Sequence, residues 1–240
     1  MIQLSKPALQ RVATALTLVI SAGVFATTAA MAQNQQMDQK LIAFKEAQEA
    51  NKAKLAQYTW TETETISIKG DVKDVKTYQV QMVNGKPQKT ETSNQAAAPS
   101  GGREGRIRER VVDKKKQEYQ EYGQSISALA KQYTTPNPEA LMQAKQAGNI
   151  SLQLGPGTVS LVIKNYVKPG DSVTMTVDQQ THAPVSAHVN SYLSDPKDAV
   201  TINAEFAQLP DGTNHVASTL INGVSKQLTV SDVNSNYQKQ

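Results

Sequence analysis

From Asn149 to the C-terminus the chain is cut into short runs of alternating apolar and polar residues, and this pattern restricts the fold more than any other feature. The runs are Ile150 to Leu154, Thr158 to Lys164, Ser172 to Asp178, Pro184 to Leu193, Ala199 to Gln208, His215 to Ile221 and Lys226 to Val233. Val159, Leu161 and Ile163 share one register. So do Val173, Met175 and Val177; Val185, Ala187 and Val189; and Val200, Ile202, Ala204 and Phe206. The opposite registers hold Ser, Thr, Asn, His or Glu, as expected for antiparallel strands with one buried face. Turn signals separate the runs: Gly155-Pro156-Gly157, Lys168-Pro169-Gly170-Asp171, Asp195-Pro196, Leu209-Pro210-Asp211-Gly212 and Asn222-Gly223. A strand every roughly 8 to 14 residues is the spacing of a meander.

Upstream the period changes twice. Met37, Leu41, Phe44, Ala47, Leu55 and Tyr58 recur at steps near three or four and predict an amphipathic helix from Met37 to Gln57. The stretch YTWTETETISIKG, residues 58–70, then alternates at period two, a change that marks a new element. Val75 to Val83 reads as the next strand, and Asn84-Gly85 suits the positive φ angles of a type I′ hairpin leading to a short strand from Lys86. Glu91 to Gly102, rich in Ser, Asn, Ala, Pro and Gly, predicts a flexible loop. Helical spacing returns from Arg103 through Ile107, Val111, Tyr122, Ile126 and Tyr133. Asn137 can cap a second helix with Pro138 at its first position and Gly148 after its end, giving a helical insert over 103–148.

The first 32 residues stand apart. Lys6 and Arg11 precede an apolar run from Val12 to Ala26 and the small-residue site Ala30-Met31-Ala32, which reads as a secretory signal peptide cleaved after Ala32. The run is short for a membrane span and Gln33-Asn34-Gln35-Gln36 follows it, so no integral span is expected after cleavage. The remaining 208 residues suit a single domain, 33–240, with one core. They carry 23 basic and 21 acidic residues, too even a balance to argue for nucleic acid. With no Cys there is no disulfide, no thiolate metal site and no lipid-attachment Cys.

Few residues point to chemistry. Glu62 and Glu64, at i and i+2 on a strand, lie on one face roughly 7 Å apart, near the separation in inverting glycosidases. Such enzymes take their two carboxylates from opposite sides of a cleft, whereas these sit side by side. The other reading has the pair facing solvent or meeting lysines such as Lys73 and Lys76 on a neighbouring strand, for about 0.2–1 kcal/mol each. Since Trp60, Ile66 and Ile68 share their register, either the glutamates lie at a wet rim or a bulge near Thr63 to Thr65 turns them outward. His182, His188 and His215 lack H-x-H or H-E-x-x-H spacing and read as surface or rim residues, so no metal or other cofactor is expected. The segment from Arg103 to Glu121 holds seven basic and five acidic residues, a solvated helix face or a lid meeting anionic head groups.

The order of these elements, a helix, two or three strands with a hairpin, a helical insert and then some seven strands, resembles the LolA/LolB-like family of outer-membrane lipoprotein carriers and receptors. The resemblance implies an α+β fold: a curved antiparallel sheet of about 9–11 strands, an incomplete barrel, with an N-terminal helix and a helical insert on its concave side. It further implies a periplasmic binding protein that holds a lipid or lipoprotein acyl chain between sheet and helices. Candidates to line such a cleft are Trp60, Ile66, Ile68, Tyr78, Met82, Ile107, Val111, Tyr122, Met175 and Phe206. The alternative is a non-catalytic module that binds an envelope protein. A glycan hydrolase using Glu62 and Glu64 ranks last, so the chain is not expected to be an enzyme.

Overall fold

The computed structural model describes residues 46–96, 106–134 and 138–240; within these, the side chains of 94–96, 106–114, 134, 138 and 142 lie outside the description. Residues 46–55 form the described part of helix α1. Three strands follow: β1 (Tyr58–Ile68), β2 (Asp71–Val83) and β3 (Lys86–Ala96). Next come α2 (Arg106–Thr134) and α3 (Pro138–Gln146). The remainder is β4 (Ile150–Gly155), β5 (Thr158–Lys164), β6 (Ser172–Asp178), β7 (Pro184–Tyr192), β8 (Ala199–Gln208), β9 (Asn214–Gly223) and β10 (Leu228–Lys239).

All ten strands join one sheet in the order β3-β2-β1-β10-β9-β8-β7-β6-β5-β4. Every pairing is antiparallel. The last strand therefore inserts beside the first, and β3 and β4 are the two open edges of an unclosed sheet. Register shifts interrupt the β1/β10, β1/β2, β2/β3, β6/β7 and β8/β9 pairs. Each such bulge adds local twist and bend.

Register fixes what the helix-bearing face carries. One cross-strand row runs Ile150, Ile163, Val173, Val189, Ile202, Ile221, Val230 and Ile66, and stops at Asp74 on β2. Tyr122, Ile126, Leu129, Ala130 and Tyr133 of α2, with Leu141 and Ala144 of α3, pack on this row as the main core. Gly223 belongs to that contact. A Cβ there would lie 2.4 Å from Ile126 Cδ1 and 2.6 Å from Tyr122 Cε1, so the missing side chain is what lets α2 approach. A second, smaller cluster of Trp60, Tyr78 and Val80, flanked by Met82 and Tyr237, occupies the other end of β1 and β2. Near it Asn51 of α1 makes two hydrogen bonds with the backbone of Asn214, at 2.8 and 2.6 Å.

Two expectations change, and two lie partly outside the described residues. The segment from Glu91 is strand, not loop, as far as Ala96, because β3 pairs β2 from Lys86↔Val83 to Ala96↔Asp74. Val185 does not join Ala187 and Val189 inside: it is 38% exposed, next to the register shift at Thr176/Val177. The helix expected from Met37 has 46–55 within the description, while 37–45 lie outside it, as do 97–105 of the expected loop. The Asn84-Gly85 hairpin is present, with φ of 52° and 73°.

Candidate functional site

Between the two apolar clusters the same face turns polar. A second row, two residues further along each strand, runs Leu152, Leu161, Met175, Ala187, Ala204, Thr219, Asp232, Glu64 and Lys76. It is apolar from β4 to β8 and charged on β10, β1 and β2. Glu62 and Glu64 are each 7% exposed, Lys76 6% and Asp232 5%. Lys89, reaching across from β3, pairs with Glu62, and its ammonium lies 5.6 Å from the centre of the Tyr78 ring. Lys76 Nζ lies 3.4 Å from Asp74 Oδ2.

The glutamates thus take neither of the two positions expected of them. They are not at a wet rim, and no bulge turns them out: β1 keeps its register with β10 from Thr61 to Ile68, and the shifts fall at Thr59/Thr61 and Ile66/Ser67. Lys76 does face Glu64 across the β1/β2 pair, whereas Lys73 reaches Asp71 at 3.2 Å. Burial pushes the Glu64 carboxyl above its ordinary range, partly offset by Lys89 and Lys76. Asp232 is pushed well above it by burial, and Glu62 adds to the shift. Desolvation disfavours the charged form of each carboxyl group. Asp232 Oδ1 is buried without a hydrogen-bond partner, as is Asp74 Oδ1. Burial, with Glu64, Glu91, Glu62 and Asp74 nearby, also raises the Tyr78 hydroxyl.

Around the small cluster, Trp60 stacks on Tyr237 at 5.5 Å and donates its indole N–H to Asn234 Oδ1 at 3.1 Å. His215, expected at the surface or a rim, is buried against the Tyr237 ring at 4.1 Å, and burial lowers its pKa. Beside this group an open cleft of about 90 Å³ lies under α1, with Asn51, Leu55, Met82, Phe206, His215 and Val216 among its lining residues. Pockets for drug-sized ligands run to about 300–1,000 Å³, so this cleft admits a small group.

The candidate lining residues separate accordingly. Met82 and Phe206 line the cleft under α1, and Trp60 and Tyr78 belong to the aromatic cluster beside it. Ile66 and Tyr122 are buried in the main core with Ile68 packed against them, and Tyr122 donates its hydroxyl to Asp198 at 2.8 Å. Met175 is buried in the second row. Ile107 and Val111 fall in α2, with their side chains outside the description. Asp232 had no sequence signal, since nothing distinguishes the acid within the strand run Lys226 to Val233; only its register opposite Glu64 marks it. Among the described residues no group of His, Asp or Glu is placed to hold a metal ion.

The fold and face define an α+β protein built on an open ten-stranded antiparallel sheet with helices on one side. No family model and no curated protein matches the sequence. Among solved structures the chain is similar to a DUF1329 family protein from Desulfovibrio piger, with 10% identity over 83% of this chain and 92% of that one and a TM-score of 0.38. It is also similar to a LolA superfamily protein from Nitrosomonas europaea, with 10% identity over 80% of this chain and 93% of that one and a TM-score of 0.33. Among the described residues no helix is long and apolar enough to cross a membrane.

Proposed function

We propose that the protein is an exported periplasmic binding protein whose helix-bearing face holds the acyl chain of a lipid or lipoprotein. The observation that carries this is the part of that face beyond the helical pair. Leu152 is 45% and Leu154 77% exposed, and both continue the register that forms the core. Val159, Leu161, Val177 and Phe206 on the same side are half-buried. Large apolar side chains left at the surface in one connected area mark a binding surface. An acyl chain is also the ligand implied by the order of the elements, and the signal peptide at residues 1–32 accounts for export.

Extraction of the protein purified from a periplasmic fraction tests this. Mass spectrometry of the extract should find co-purified lipid, and Leu154→Glu with Leu161→Glu should reduce it. Protein that yields no lipid and gains no Tm with fatty acyl ligands would remove the carrier reading.

A second reading rests on the edge strand β4. Its six residues, ISLQLG, carry no charge and no Pro, whereas natural edge strands are guarded by such residues against pairing with another chain. An extended segment of an envelope protein could add there as an eleventh strand. Pull-down from envelope extract should then return a stoichiometric partner that Gln153→Pro abolishes. Capture unchanged by that substitution would exclude the edge.

A further inference from the structure

The acyl-binding reading leaves the charged end of the second row without a role. Glu62 has Lys89 and Asp74 has Lys76, but among the described ion pairs none engages Glu64 or Asp232. These two stand directly opposite each other on β1 and β10. Asp232 is 5% exposed, and its Oδ1 is a buried acceptor with no donor. Lys89 and Lys76 act on Glu64, and Lys89 on Asp232, without an ion pair to either. Since buried polar atoms in folded proteins are nearly always partnered, the orphaned Asp232 oxygen facing Glu64 marks a place where a further donor fits.

We infer that Glu64 and Asp232 are the acceptors for a primary ammonium group on the ligand. This rests on the acyl-chain reading and names the head group that goes with the chain. Among the described residues no group of three or more His, Asp or Glu is placed to hold a metal ion, and a cation that needs only two carboxylates suits this pair. An ammonium carries three rotatable donors that can reach oxygens of two carboxylates on neighbouring strands. A guanidinium fork matches the paired oxygens of one carboxylate instead. Thr219, buried beside Asp232 in the same row, adds a hydroxyl at the head-group end. Ala204 and Ala187 come next, and Met175 and Leu161 continue the row toward the exposed Leu152. At strand spacings near 4.8 Å, Asp232 on β10 and Met175 on β6 are about 19 Å apart. The row thus runs from anionic through small to apolar, in the sense that a cationic amphiphile requires.

The test uses three probes of one chain length, dodecylammonium, dodecanol and dodecanoate, each below its micelle concentration, titrated into the full chain and followed by calorimetry. Trp60, the one tryptophan, lies two residues from Glu62 on the same face and gives a second signal. Wild-type protein should bind the ammonium about tenfold more tightly than the alcohol, and the carboxylate more weakly than either. Asp232→Asn and Glu64→Gln should each bring the ammonium down to the affinity of the alcohol and leave the alcohol unchanged. Equal binding of all three probes by the wild type would overturn the ammonium site and leave the acyl surface standing. Binding of none would overturn both. The wild-type comparison decides the point even where a variant does not fold.

Discussion

A carboxyl group at position 232 is 5% exposed, faces another carboxyl across the strand pair and has one oxygen without a donor. Burial raises its pKa and that of Glu64. Between the ordinary carboxylate range near 4 and those raised values, the native protein holds more protons than the unfolded chain. Its stability therefore falls as pH rises through that window. Asp211 and Asp178 act in the opposite sense: hydrogen bonds from Thr213 and Tyr58, and from Thr181 and Gln180, hold them below their ordinary range, so their contribution is lost as pH falls. Buried His215, whose pKa burial lowers, also gains stability as pH rises through its range, so the carboxyl contribution is read as the difference in the pH dependence of Tm between the ligand-free wild type and Asp232→Asn. The substitution should remove the falling component and raise Tm at neutral pH; a pH dependence unchanged by it would mean that Asp232 does not titrate in this range. Gly223 is a second residue-scale constraint, since an added methyl group meets Tyr122 and Ile126. Gly223→Ala should cost about 1–3 kcal/mol, seen as a Tm lower by about 2–4 °C for each kcal/mol.

At the scale of elements, the end of α2 is held by one buried acid. Asp171, 2% exposed, accepts the Tyr133 hydroxyl at 2.6 Å and the backbone N–H groups of Tyr166, Val167 and Lys168 at 2.6, 2.9 and 3.0 Å. The Tyr133 hydroxyl also meets Ser191 Oγ at 2.7 Å. One carboxylate thereby fixes the β5–β6 connection and ties it to the helix and to β7. Tyr133→Phe should cost about 1–3 kcal/mol and lower the urea midpoint with an unchanged m-value; a changed m-value would point to a loosened native state instead. The strands themselves were legible, because period-two runs and Pro/Gly turns are local signals: β5, β6 and β8 begin and end at the residues expected. The start of β3 at Lys86 was legible from the Asn84-Gly85 turn, but its length was not, because KPQKTETSNQA has no apolar face to alternate. It is held by backbone pairing to β2, and its Lys89 serves the charged row rather than a core. Nor was the outward turn of Val185, which follows from a bulge in its pairing with β6.

For the whole molecule, the feature least legible in the sequence is the seam where β10 joins β1. Nothing local announces a pairing such as Tyr58↔Lys239 or Glu64↔Asp232 between strands at opposite ends of the chain. The charged row exists only once that seam has formed, which is why Glu62 and Glu64 read from sequence as solvent-facing. The seam also makes β1 the link between the two apolar clusters, since Ile66 belongs to one and Trp60 to the other. β1 keeps one register with β2 from Trp60 to Ile66 and one with β10 from Thr61 to Ile68, so opening at either end is opposed by pairs that reach the other. Such a topology predicts a single cooperative transition, and it can be checked with two probes that sit in different clusters. Trp60 fluorescence reports the small cluster, and ellipticity at a helical wavelength reports α2 and α3 on the large one. The two urea curves should share one midpoint. An earlier Trp60 transition would show that the polar row uncouples the ends of the face, with β2 and β3 opening before the helical pair leaves the sheet.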